Sequence, residues 1–134
     1  MRRLYFAPEA NRNVGMTFHP HTRNESTAAE IVSDAVVLSE PQDVLDLMAN
    51  AQYHHRARAV VLHRHQVADA FFDLRSGLAG EILQKVSNYG FALGIVGDFA
   101  TVESRALRDF IRESNEGRQV AFVESVDAAL EKLL

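Results

Sequence analysis

The segment F-F-D-L-R-S-G-L-A-G-E-I-L-Q-K at residues 71–85 gathers the groups that chemistry can use: Asp73, Arg75, Ser76, Glu81 and Lys85, with Gly77 and Gly80 among them. A serine at a helix start accepts a hydrogen bond from a free backbone N–H. The same position suits a phosphate, because the first turn presents unpaired N–H groups and the positive end of the dipole. Ser76 therefore has two readings, as a helix N-cap and as a phosphorylation candidate, with Arg75 beside it to contact an added phosphate. Glu81 and Lys85 stand four apart in the order that favours a helix ion pair worth about 0.3 kcal/mol. Asp73 and Asp98 supply two carboxylates for acid–base work or for a divalent cation, provided that the fold brings them together.

Gly77 and Gly80 ask for a reason of their own. An exposed glycine inside a helix costs about 1 kcal/mol relative to alanine. Two in the first turns predict a close approach there, by a docking partner, by a second copy of the chain or by the following loop. Arg118 follows Asn115 and Gly117 in E-S-N-E-G-R-Q, where Asn and Gly are ordinary helix-ending residues. It is read either as an anchor of that loop through a carboxylate or as a ligand- or partner-binding group. Six histidines complete the set. His19-x-His21 and His63-x-His65 each place two imidazoles on one face of a strand, and His54-His55 falls at a helix end. Zinc needs three or four converging ligands. With no cysteine and no H-E-x-x-H motif, no metal site and no cofactor are expected, and the histidines read as solvated groups at element ends.

These residues must be positioned by strands and helices that the hydrophobic pattern outlines. Residues 14–21 alternate, and with the turn cluster R-N-E-S and a second strand they make a hairpin over 14–33, in which Pro20 confines the first strand to an edge. Ser39 with Gln42 reads as a capping box for a helix from 40 to about 53, with proline in its first turn. The apolar run at 59–62 is a strand buried on both faces. The segment 63–75 after it is longer than an ordinary strand-to-helix loop. A helix at 76–89, a strand to Gly97-Asp98, a helix at 104–114, the strand Q-V-A-F-V and a final helix capped by Ser125 complete the chain. Alternation of this kind predicts an α/β fold, with a mixed sheet of about five strands, an N-terminal hairpin and about four helices. Residues 1–13 show no periodicity and are expected to be a tail preceding one domain at 14–134. Met16 is the alternative translation start. In such sheets ligands and partners favour the carboxyl ends of the parallel strands, here 63–72, Asp98-Phe99 and Glu124-Ser125.

Composition limits the classes of function. With 134 residues the chain can bury roughly two thirds of its unfolded surface as one domain. Its 47% hydrophobic and 24% charged content is that of an ordinary globular domain. A formal charge of −4 offers no attraction to polyanions, so no nucleic-acid partner is expected. No stretch approaches the roughly 18 apolar residues that span a bilayer, and Pro8 cuts short the apolar run of the amino terminus. The expectation is a cytoplasmic protein without a membrane partner.

Two resemblances add to this reading. The order of elements, the segment F-F-D-L-R-S-G-L-A-G-E-I-L and the closing V-A-F-V-E-S-V-D-A-A-L-E-K-L resemble the STAS domain of sulphate transporters and anti-sigma factor antagonists, over residues 14–134. The resemblance implies a STAS-like fold, a kinase- or sigma-regulator-like protein partner, and phosphorylation of the serine before G-L-A-G, which is Ser76. Here Asp73 lies three residues before that serine rather than two, and Arg75 stands where the family has a serine. The blocks L-M-A-N-A-Q-Y, F-F-D-L-R-S-G-L-A-G-E-I-L-Q-K, I-V-G-D-F and F-I-R-E-S-N-E-G-R-Q are more closely similar to an uncharacterised bacterial family of unknown function, which implies no activity. Three functions follow as expectations. The first is a regulatory, non-enzymatic module that binds a protein partner through the helix at Ser76. The second is a small-molecule or nucleotide-binding protein, enzymatic or not, that uses Asp73, Glu81, Lys85, Asp98 and Arg118. The third is an oligomer, such as a homodimer, with no separate ligand.

Overall fold

The structure, a computed structural model, describes residues 15–134, so the expected tail and the first residue of the predicted hairpin lie outside the described residues. Strand β1 (Thr17–Arg23) turns through Asn24 and Glu25 into β2 (Ser26–Val32). Both turn residues have positive φ, 53° and 67°, as in a type I′ turn, whose twist matches that of the flanking strands. The antiparallel register runs from Thr17 opposite Val32 to Arg23 opposite Ser26, within the hairpin that the sequence predicts. β1 is an edge strand, as Pro20 requires, since proline has no N–H to give to a second neighbour.

From β2 the pairing is parallel. Helix α1 (Pro41–His55) leads to β3 (Ala59–His63); the one-turn α2 (Asp69–Phe72) and α3 (Leu78–Asn88) lead to β4 (Ala92–Val96); α4 (Arg105–Glu116) leads to β5 (Val120–Val123). The helix α5 (Val126–Leu133) follows. The spatial order of the five strands is their sequence order, β1 to β5. Every crossover therefore moves in one direction, and right-handed connections then place α1, α3 and α4 on a single face. The core agrees. Val44, Leu47 and Met48 of α1, Ala79, Ile82 and Val86 of α3, and Leu107 and Ile111 of α4 close on Ile31, Val60, Leu62, Leu93, Ile95 and Phe122 of the strands. The intervening strand residues Ala28, Ala59, Val61, Ala92 and Ala121 form a second core with Ala129, Leu130 and Leu133 of α5 on the opposite face. Those positions are small because α5 lies close: a Cβ on Gly94 would stand 3.1 Å from Leu133 and 3.2 Å from Ala129.

Three local expectations shift. The capping pair Ser39 and Gln42 gives way to Glu40 and Asp43, with α1 beginning at Pro41. The Asp43 carboxylate accepts from Ser39 N at 2.9 Å, from Ser39 Oγ at 3.1 Å and from Glu40 N at 3.1 Å. At the positive end of a helix a carboxylate holds free N–H groups better than an amide does. The 63–75 connection is ordered, through 3₁₀ turns at Arg64–Gln66 and Leu74–Ser76 on either side of α2, which raises the helix count from about four to five. Phe71 is the reason: it is fully buried, with its ring centroid 5.0 Å from that of Phe72 and 6.3 Å from that of Phe122. Finally, α3 begins at Leu78 rather than at Ser76, because Gly77 breaks the helical path with φ 78°.

Candidate functional site

Ser76 belongs to the 3₁₀ turn before α3. Its Oγ donates to Ala70 O at 2.7 Å and accepts from Leu78 N at 3.1 Å. The hydroxyl thus ties the first N–H of α3 to α2 and uses both of its hydrogen-bonding roles. Gly77, not Ser76, is the N-cap, and its left-handed φ accounts for the glycine. Gly80 has no such account. It is helical and exposed, and an added Cβ would meet nothing within 4 Å, so the following loop is not what approaches it.

The neighbouring charges act locally. Asp73 accepts from Arg75 N at 3.2 Å and lies 3.6 Å from Arg75 Nε. Asp98 accepts from Ala100 N at 3.0 Å. Ion pairs among the described residues join Glu30 to two histidines, Arg23 to Asp127, Arg64 to Asp69, Arg75 to Asp73, and Arg112 to Asp109 and Glu113. Glu81 and Lys85 are not among them. Arg118 precedes β5 at its amino end, whereas Asp98 follows β4 at its carboxyl end. The register of Leu93 with Val120 then separates them by roughly 20 Å along the strands. The structure brings Asp73, Arg75, Ser76 and Gly77 together and sets Arg118 apart from Asp98.

A second polar group lies on the face that α5 covers, toward β1. His21 Nε2 is 2.9 Å from Glu30 Oε1, and His63 Nε2 is 2.7 Å from Glu30 Oε2, so one carboxylate joins β1 to β3 across β2. The His19 ring meets that of His21 edge-on, with centroids 4.8 Å apart, and His65 stacks near His63 at 6.1 Å while its Nε2 reaches Ser33 O at 2.9 Å. Burial pushes the Glu30 carboxyl up, but hydrogen bonds from His63 and His21, aided by their charge when protonated, outweigh it and hold the group below its ordinary value. Each of these two rings spends Nε2 on Glu30 and keeps Nδ1 as its other polar atom. Sequence reasoning found both histidine pairs and missed Glu30. Within T-A-A-E-I-V its alternation is that of any outward polar residue, and only the register, His19 opposite Glu30, signals its company. Among the described residues no group of three His, Asp or Glu is disposed to hold a metal ion.

Next to this cluster Gln66 is buried, with 1% exposure. Its amide accepts from His63 N at 2.9 Å and donates to Ile31 O at 3.0 Å and to Ser33 O at 3.1 Å, bridging β2 and β3 where their ladder ends. A cleft of about 210 Å³ lies at the amino end of α1, lined by Met16, Val36, Val37 and Leu47 with Asp43 and Asp46. No helix among the described residues is long and apolar enough to cross a membrane.

A family profile described as domain of unknown function (DUF4180) matches residues 23–133. No curated protein and no solved structure matches the chain.

Proposed function

This chain belongs to the DUF4180 family, a domain of unknown function, and from that premise we propose that it is a regulatory module, not an enzyme, that docks a protein partner through the outer face of α3. The observation that carries the reading is Gly80. An exposed glycine within a helix gives up about 1 kcal/mol against alanine, and nothing among the described residues within 4 Å of its missing Cβ accounts for that loss. A partner backbone packed against the bare face accounts for it, with Gly77, Glu81 and Lys85 at its margin.

Ser76 is the switch in this reading. Phosphorylation would replace the O–H that Ser76 donates to Ala70 O by a dianion that repels that carbonyl, forcing the 70–76 loop to move. The start of α3, led by Leu78 N–H, would receive the phosphate, and Arg75 would add a charge-assisted contact. The resemblance to STAS domains makes a kinase- or sigma-regulator-like protein the expected partner.

The test is a photo-crosslinking residue at Gln84, on the exposed side of α3, compared with the same residue at Glu131 on α5 in the native host cell. A discrete adduct from Gln84 alone, lost in Gly80→Gln and lost again when Ser76 is phosphorylated, is the expected outcome. Equal adducts from both positions, or an adduct indifferent to Gly80→Gln, would sink the proposal.

A further inference from the structure

The two ends of α1 are complementary to each other. The large hydrophobic side chains exposed among the described residues are Tyr53 (84% exposed), Tyr89 (66%), Val36 (55%) and Val32 (49%). Tyr53 stands near the carboxyl end of α1, and Tyr89 caps the carboxyl end of α3, its neighbour on the same face. Val32 and Val36 lie at the opposite end, where β2 stops and the chain turns toward α1. The apolar surface is thus divided between the two ends of the helix layer.

The charge is divided in the same way. Arg56 follows Tyr53, whereas Asp43 and Asp46 line the cleft at the amino end of α1, whose wall includes Met16, Val36, Val37 and Leu47. Arg56 is the helix C-cap, in the left-handed region with φ 55°. Capping alone favours glycine or asparagine there, so an arginine at this point is held against local backbone preference, beside the most exposed tyrosine. Among the described residues both sheet edges carry a feature that works against strand pairing. Pro20 interrupts β1, and on β5 the Asn115 amide donates to Phe122 O at 3.0 Å and accepts from Phe122 N at 2.8 Å, closing that edge.

We infer that copies of this chain stack head to tail, the Tyr53 ring of one copy seated in the cleft at the amino end of α1 of the next, with Arg56 facing the acidic rim. Knob and hole occupy different places on one molecule, so the contact is heterologous and propagates as a row or closes as a ring, instead of forming a two-fold dimer. The step between copies follows the axis of α1, whose 15 residues span roughly 22 Å. The contact uses the ends of α1 and does not depend on docking at the outer face of α3.

Sedimentation velocity on the full chain, from micromolar to millimolar concentration, tests the inference at about 50 mM and about 500 mM salt, which screen surface charge weakly and strongly. Concentration-dependent species larger than dimers at low salt, diminished at high salt, are expected. Tyr53→Ala removes the knob and Val36→Arg blocks the hole; both residues are exposed, so both variants fold, as circular dichroism will verify. Each variant alone is expected to associate at least about 30-fold more weakly, the loss typical of a buried anchor residue. Mixed together, they retain one intact hole and one intact knob and must form a 1:1 heterodimer that grows no further. A wild-type monomer at every concentration, which is the result if another segment of the same chain fills the cleft, overturns the inference. So does association that survives Tyr53→Ala, or a mixture that stays monomeric.

Discussion

Gly77 and Gly80 are three residues apart, look alike in sequence, and should respond in opposite directions to the same substitution. At Gly80 the backbone is helical, the position is exposed and a Cβ meets nothing within 4 Å. Alanine there gains the full difference in helix propensity, about 1 kcal/mol, with no steric charge against it. At Gly77 the space is equally open, but φ is 78°, and a Cβ in the left-handed region costs about 1 kcal/mol. Gly80→Ala should therefore raise stability by about 1 kcal/mol and Gly77→Ala lower it by a similar amount. For a chain of this size that is a shift of about 4 °C in Tm in each direction, or about 0.5 M in the urea midpoint. Urea titrations followed by far-ultraviolet circular dichroism at fixed pH measure both. A neutral or destabilising Gly80→Ala would refute the reasoning, since it would mean that something inside the chain already occupies the space beside α3. A stabilising Gly77→Ala would show that α3 runs straight through residue 77. If Gly80→Ala stabilises the chain and also weakens the Gln84 crosslink, the glycine is kept for the partner and not for the fold.

The Glu30 bridge should make stability depend on pH in a definite direction. Its folded pKa lies below the unfolded one, so the unfolded chain binds more protons between the two values and stability rises with pH across that window. The contribution is complete above the ordinary carboxylate range and disappears as pH falls through the lowered folded value. Glu30→Gln should cost about 2 kcal/mol at neutral pH, and the difference from wild type should vanish in strong acid; an undiminished difference there would remove Glu30 from the account. Gln66→Ala leaves His63 N and the buried Ile31 O without their side-chain partner and should lower the unfolding free energy by about 3 kcal/mol in urea titration. Glu25→Gly should add about 0.7 kcal/mol, because Glu25 holds φ 67° in the hairpin turn; a loss in thermal melting would contradict the turn assignment.

Local patterns in the sequence determined the elements themselves. Alternation marked the hairpin, Pro20 marked an edge, short apolar runs marked β3 and β4, and stripes at helical spacing marked α1, α3 and α4, because burial on one face or two leaves its period in neighbouring residues. The ends of elements were less legible. Asp43 displaced the Ser39 cap, and Gly77 displaced the start of α3, since several residues near each end are competent to cap and three-dimensional competition selects one. Tertiary structure alone decided which polar groups meet. Glu30 meets His21 and His63, which are 9 and 33 positions away, only through strand register. Asp98 and Arg118 end up at opposite ends of adjacent strands for the same reason. Sequence showed Gly80 to be costly, and the fold showed that among the described residues nothing lies within 4 Å of its missing Cβ. Side-chain periodicity is a property of a segment and its nearest neighbours, whereas convergence of side chains depends on the order and register of the whole sheet, which no single segment encodes.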